Sequence, residues 1–314
     1  MKSKDKILIY RGVGNFEEVL VRGHYFKKYP IKASLESHSN IQNLKQAVNR
    51  FRLQPHKRRQ LSIKVYDEEA VVETGADGYF ETRVSHAFKK EGWFKITVED
   101  QINGESAEGS FFVPDLNAPS VISDIDDTVL ISHSTRFLRK MRLILFKNAH
   151  SRRVTKSIQS DDWMSKLSPE KEIDSYFYVS SSEWNLYDFL SDFFSIKDLP
   201  KGPFFLQRLK TSPLKLLGSG GGHHEHKLES IRFLLDFYPG KPFYLLGDSG
   251  QKDIHIYMEV TKSYPERISG VLIRKIRRNS KKSALLEAKK LFKDFDIPFH
   301  AFSDKELDQF KTDI

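Results

Sequence analysis

The chain has 314 residues, room for one large or two ordinary domains, and its 39% hydrophobic content with 24 Phe excludes a wholly disordered protein. It has no Cys, which excludes disulfides, thiolate metal sites and cysteine nucleophiles and suits a reducing compartment. The net charge of +9 favours an anionic partner, whether a lipid surface, a nucleic acid or a phosphorylated substrate, without choosing among them.

The first residues lack the apolar core of a signal peptide. No run approaches the roughly 18 uncharged apolar residues of a membrane-spanning helix, so a cytoplasmic location is expected. Residues 1–116 read as mostly β. Strands are expected at 7–10, 18–25, 61–66, 79–84, 93–98 and 106–113. Ile41, Leu44, Val48 and Phe51 repeat at helical spacing, so one helix interrupts them. The turn from Thr74 through Gly75 and Gly78 to Phe80 resembles those of transthyretin-like and carboxypeptidase-regulatory sandwiches. A small β-sandwich-like domain without a catalytic constellation is the expectation.

Pro114 and Pro119 bracket a turn-rich join, which places the boundary between a domain at 1–116 and one at 117–314. Beyond it, strands (120–125, 175–181, 204–209, 242–247, 269–273, 299–302) alternate with helices. The clearest helices are 186–194, 227–237 and 281–295. This alternation predicts an α/β fold with a doubly wound parallel sheet. In the last helix, Leu285, Ala288, Leu291 and Phe292 share one stripe.

The organising stretch is 121–130. An apolar run delivers Asp124 and Asp126 two residues apart at the end of a strand, followed by Thr128. Open α/β sheets build their sites at that end of the strands. Two close carboxylates repel unless a cation or a proton separates them, so a hard divalent ion such as Mg²⁺ is implied. Three more segments fall in order. Residues 178–185 run a strand into Ser180, Ser181 and Ser182, then Glu183, Trp184 and Asn185. His226 and Lys227 open a helix after the glycines of 218–222. Residues 245–253 end a strand in Gly247 and Asp248, with Asp253 five residues later.

This ordered set resembles the haloacid-dehalogenase (HAD) superfamily of aspartyl-phosphate phosphatases over about residues 119–305. More narrowly, it resembles the actin-patch-type, Mg²⁺-dependent phosphatidate phosphatases of fungi and their bacterial relatives. The chain departs from them at Glu183, where a proline is expected. The resemblance implies a HAD-like, Rossmannoid sheet with a small helical cap inserted at about 130–172. It implies Asp124 as nucleophile and Asp126 as general acid and base. Thr128 would hold the turn, while Ser180 or Ser181 and Lys227 would bind the substrate phosphate. Asp124, Asp126 (through its carbonyl), Asp248 and Asp253 would surround Mg²⁺. Asp127 and Ser249 fit no required role and read as turn or cap residues.

Two stretches carry alternatives. Residues 218–226 read as a glycine-rich connector, or as a phosphate-binding loop using His223, His224 and His226. With Glu225, those histidines could also form a transition-metal site. Between Asp127 and Asp161 there is no acidic residue, while Arg136, Arg139, Lys140, Arg142, Lys147, Arg152, Arg153 and Lys156 accumulate. Phe137, Leu138, Met141, Ile144 and Leu145 form an apolar helical face there. This segment is either a packed cap or a surface for anionic lipid. A second basic cluster follows at Arg274, Lys275, Arg277, Arg278, Lys281 and Lys282. The reading is a phosphatidate or lipid-phosphate phosphatase, cytoplasmic and peripherally membrane-associated, with no nucleic-acid partner expected. The alternatives are a phosphatase for soluble or nucleic-acid-end phosphates, and a non-enzymatic membrane-binding module.

Overall fold

The computed structural model describes residues 5–31, 49–50, 52–125, 128, 173–208, 222–250, 252–276, 282–303 and 306. They fall into two compact units. One is Met1–Asp115 with Gly202–Phe204, the other Leu116–Lys201 with Phe205–Ile314.

The first unit is built from β1 (Lys6–Ile9), β2 (Gly12–Gly14), β3 (Glu18–Lys27), β4 (Gln54–Pro55), β5 (Gln60–Val65), β6 (Glu68–Glu73), β7 (Tyr79–Ser85), β8 (Gly92–Asp100) and β9 (Ser106–Val113). Hydrogen bonds link them along the path β1-β3-β2-β9-β8-β5-β6, with β4 and β7 also on β3. The path curls until β6 lies against β7. Because side chains alternate across a strand, β5 turns Leu61, Ile63 and Val65 inward, where they meet Ile96, Val98 and Phe111 in one apolar core. The turn before β7 needs glycine at 78, where φ is +80°. Thr74 anchors that turn from inside, donating to the His56 carbonyl at 2.7 Å. Each of the six strands expected here is present. β2, β4 and β6 are additional, and β6 went unread because its sequence, Glu-Glu-Ala-Val-Val-Glu, mixes polar and apolar residues at a solvent-facing edge. Of the helix expected around Ile41–Phe51, only residues 49–50 are described, and they are helical.

The second unit is mixed α/β with a six-stranded sheet. Its elements are β10 (Ser120–Asp124), β11 (Ser175–Glu183), a 3-10 turn (Trp184–Leu186), α1 (Tyr187–Ile196), β12 (Phe204–Gln207), α2 (Gly222–Phe237), β13 (Phe243–Asp248), α3 (Asp253–Ser263), β14 (Ile268–Arg274), α4 (Lys282–Asp294) and β15 (Phe299–Phe302). β10 runs parallel to β11 on one side and β13 on the other, and all five of its residues are buried. A strand enclosed in this way must be short and apolar, which is why Val121 and Ile122 sit there. Truncating Ile122 to Ala would cost about 2–5 kcal/mol in transfer and cavity terms.

The strand order is β12-β11-β10-β13-β14-β15. The chain builds outward from β10 to β12, then returns to lay β13 on the other flank of β10. Connections leaving β10 and β13 therefore diverge, and a crevice opens at their carboxyl ends. α2 packs on β11 and α3, and α3 packs on β13, β14 and α4. α4 buries Ala284, Ala288 and Phe292, with Leu285 and Leu291 half-buried, which is the stripe expected from its period. β11 runs two residues further than the sequence suggests, β12 stops two residues sooner, and α3 is an element the sequence reading did not pick out. The expected cap at 130–172 and the basic segment 136–156 lie outside the described residues.

Candidate active site

The site forms where β10 and β13 end side by side. Ser123 is in register with Leu246, so Asp124 closes β10 and Asp248 closes β13 at neighbouring positions. Asp253 begins α3 and swings back towards the same point. Ligand oxygens of Asp124, Asp248 and Asp253 lie within 4.8 Å of one another, and all three residues are buried.

Lys227, from the first half of α2, reaches into this cluster. Its Nζ lies 2.8 Å from Asp124 Oδ1 and donates to Asp253 Oδ1 at 2.7 Å. Burial alone would push the ammonium down. The carboxylates of Asp124 and Asp253 outweigh it and hold Lys227 well above the ordinary lysine range, so it stays charged. Thr128, itself fully buried, donates to Asp124 Oδ2 at 3.3 Å. Both oxygens of Asp124 are thus oriented, one by a cation and one by a hydroxyl.

Asp248 Oδ1 accepts the Gly250 N–H at 2.5 Å, which fixes the turn after β13. Asp253 Oδ2 accepts the Asp248 N–H at 3.1 Å and so ties the start of α3 to the end of β13. This approach requires the glycine at 247. A Cβ there would stand 2.8 Å from Asp253 Cβ and Oδ2 and from the Tyr257 ring. Ser249 also holds the loop. Its N–H donates to the Arg274 carbonyl and its Oγ accepts the Ile276 N–H, both near 3 Å. That is the turn role the sequence implied.

Ser180 is fully buried one residue past Val179, the register partner of Asp124. Its Oγ accepts the Ser182 N–H at 2.9 Å. Ser181 is half-buried, and alternation puts it on the opposite face of β11 from Ser180. Of the residues the sequence singled out, Asp124, Thr128, Lys227, Asp248 and Asp253 therefore converge. Asp126 and residues 218–221 are outside the described set, as are the side chains of His223 and His224. The ring of His226 approaches the Phe205 carbonyl at 3.4 Å.

Sequence reasoning passed over Tyr257. Its hydroxyl donates to the Leu246 carbonyl at 2.8 Å beneath the cluster. Burial, then the charges of Asp253, Asp124 and Asp248, push its pKa far up, so it stays protonated. Its position four residues along α3 from Asp253 is a helical spacing that would have flagged it, had α3 been recognised.

Among the described residues, three buried carboxylates face one ammonium, an excess of two acidic groups over basic ones. An all-oxygen donor set with that excess is suited to one hard divalent cation. Asp124, Asp248 and Asp253 are the described residues that could hold it.

Comparison with known proteins follows the same residues. A profile of the "Phosphatidate phosphatase APP1, catalytic domain" family matches residues 119–275, half of the chain. "Phosphatidate phosphatase APP1" of Saccharomyces cerevisiae is 28% identical over 154 residues, which are 49% of this chain and 25% of that protein. An uncharacterized protein of Schizosaccharomyces pombe is 27% identical over 228 residues, 68% of this chain and 36% of its own length. The chain thus spans only a quarter to about a third of the curated relatives it matches. Among solved structures, a Bacteroides fragilis protein described as an α-galactosidase is 9% identical and covers 87% of this chain and 57% of its own, with a TM-score of 0.20 that carries no argument.

Proposed function

The chain belongs to the family of phosphatidate phosphatase APP1 catalytic domains, and from that membership we propose that it is a Mg²⁺-dependent phosphomonoesterase converting phosphatidate, or a related lipid phosphate, into the free alcohol and phosphate. The observation that carries this reading is the buried trio of Asp124, Asp248 and Asp253 around the Lys227 ammonium.

In this proposal Asp124 attacks phosphorus with one carboxylate oxygen. The bond from phosphorus to the substrate alkoxide breaks, the electron pair leaves with that oxygen, and Asp126 supplies its proton. Asp126 then takes a proton from water, which opens the aspartyl phosphate and regenerates Asp124. Thr128 and Lys227 keep the Asp124 carboxylate aimed between the two steps, and Lys227 offsets charge on the phosphoryl oxygens. Ser180, or Ser181, would grip one of those oxygens. Mg²⁺ held by Asp124 and Asp248 would neutralise the incoming phosphoryl group and the buried carboxylates together. Tyr257, kept protonated, braces β13 from below.

The strand order and the flanking helices support a doubly wound, HAD-type reading of the second unit. The curled strand path of the first supports a β-sandwich-like module, with the domain boundary near 116–117. The basic and apolar segment 136–156 would contact an anionic membrane and bring a cytoplasmic protein to a lipid substrate. Among the described residues no helix is long and apolar enough to cross a membrane. A phosphate-release screen across phosphatidate, lysophosphatidate, nucleotides and sugar phosphates, with Mg²⁺ and with EDTA, tests the reading. Mg²⁺-dependent release that favours the lipid phosphates is expected. Release only from nucleotides or sugars, or equal release in EDTA, would contradict it.

A further inference from the structure

The connection between β11 and α1 carries a buried amide with no part in the scheme above. Asn185 lies in the turn Trp184–Leu186, and it is only 4% exposed. Among the described residues, neither its Nδ2 nor its Oδ1 has a hydrogen-bond partner. A primary amide brings two donors and an acceptor, and protein interiors satisfy nearly all such groups. Its chain neighbours, Trp184 and Leu186, are buried and offer it no carbonyl or hydroxyl from their side chains. The rest of the segment is ordinary by comparison, since Ser180 Oγ pairs with the Ser182 N–H.

The position suggests why such a group is kept. β11 lies beside β10, and Val179 is the register partner of Asp124. β11 then continues to Glu183, past the end of β10, so Asn185 stands at the carboxyl edge of the sheet, on the side where a ligand enters. The charged part of a phosphate ester is already provided for at Lys227 and the carboxylates. The segment at the rim offers neutral chemistry instead. Glu183, 8% exposed, makes no capping bond to the turn, and burial pushes its carboxyl up towards the neutral form. An amide two residues along the chain from such a carboxyl suits the uncharged oxygens of the alcohol portion, which are hydroxyls or ester carbonyls.

We propose that Asn185 is a substrate-binding residue whose amide receives the oxygen substituents of the glycerol moiety next to the phosphate. This rests on the phosphatase reading of the same site. It makes Asn185 a determinant of choice between glycerol phosphates and other phosphate esters.

The test compares Asn185→Leu and Asn185→Ser with the unaltered full chain in Mg²⁺. Phosphate release is followed from dioctanoyl phosphatidate, glycerol 3-phosphate and 4-nitrophenyl phosphate, and the melting temperature is measured for each protein. Both variants should lose about tenfold more kcat/KM on dioctanoyl phosphatidate than on 4-nitrophenyl phosphate, mainly through KM. The Asn185→Leu protein should melt no lower than the unaltered chain, because an apolar side chain replaces an unpaired polar one. A selective loss shared by glycerol 3-phosphate identifies a hydroxyl as the partner, and one confined to phosphatidate identifies an ester carbonyl. Equal losses on phosphatidate and the chromogenic ester, or no loss on either, would overturn the assignment, and the serine variant decides if the leucine variant does not fold. An unaltered chain that releases no phosphate from any of the three overturns the phosphatase reading and this inference with it. An active chain with unselective variants overturns this inference alone.

Discussion

Each unit buries a cluster of charge, and the two clusters differ in their ratio of anion to cation. In the first unit Asp100 is fully buried, and both of its oxygens are filled. Oδ1 accepts the Ile102 N–H at 3.0 Å, while Oδ2 accepts the Tyr25 hydroxyl at 3.0 Å and Arg59 Nη2 at 2.6 Å. Burial would push the Asp100 carboxyl up, but these donors together hold it below the usual carboxylate range. Tyr25 is pushed up to about 12, first by burial and then by Asp100, so it donates at any ordinary pH. One carboxylate meets one guanidinium, and the knot is complete in itself. Among the described residues of the second unit three carboxylates share one ammonium, and that surplus of negative charge is suited to a cation. The same chemistry at a ratio of one to one makes a staple, and at three to one among the described residues it makes a candidate cation site.

The contrast can be broken most severely at the two carboxylates proposed to carry the chemistry. Asp124→Asn or Asp126→Asn should lower Mg²⁺-dependent phosphate release by on the order of a thousandfold or more while leaving the far-ultraviolet circular dichroism unchanged. Appreciable residual turnover in either would contradict the assigned roles.

Next in size is the removal of each cluster's cation. Lys227→Met leaves the carboxylates buried without their ammonium and should cost about 3–5 kcal/mol of stability in EDTA, measured by urea unfolding. Added Mg²⁺ should recover part of that loss. Arg59→Met should cost less, about 1–3 kcal/mol, because the Arg59 side chain is partly exposed and Asp100 keeps two other donors, and Mg²⁺ should recover none of it. A Lys227→Met protein that ignores Mg²⁺ would break the distinction.

The sequence made the second cluster far more legible than the first. Asp124, Asp248 and Asp253 could be found because each ends a strand or opens a helix. Lys227, which the sequence put at the start of a helix, lies within the first half of one that begins at Gly222. Their order along the chain is itself informative. The Asp100 knot has no such pattern. Its members, at 25, 59 and 100, come from three strand ends or turns and meet only through the sheet pairing. The need for glycine at 247 was equally hidden, since it depends on where Asp253 returns after the turn. Asn185 stood in plain view within a motif, but its unpaired state is a property of tertiary burial, which local sequence does not encode. β2, at Gly12–Gly14, is too short and too rich in glycine to show a period.

The smallest expected effects concern pH. Asp100 has a depressed pKa, so its contribution to stability is present above its ordinary value of 3.8 and is lost as pH falls through the folded value. Asp100→Asn should therefore flatten acid unfolding of the first unit. Lys227 has a raised pKa. Its contribution is complete below the ordinary 10.5 and is lost only as pH rises through the folded value, so it adds no acid limb. Glu183 is raised by burial, so its contribution is present below 4.5 and lost as pH rises through its folded value. Glu183→Gln should consequently raise the melting temperature slightly at neutral pH and leave it unchanged in acid. A fall at neutral pH would mean that the ionised carboxylate has a partner that stabilises it.

The most direct measurement is calorimetric titration of Mg²⁺ into the metal-free chain, alongside Asp248→Asn and Asp100→Asn. The imbalance of charge predicts one saturable site in the unaltered chain, retained in Asp100→Asn and lost or weakened by at least about tenfold in Asp248→Asn. If the unaltered chain takes up no Mg²⁺, or if Asp248→Asn takes it up equally well, the three carboxylates are not a metal centre and the account is wrong at its base.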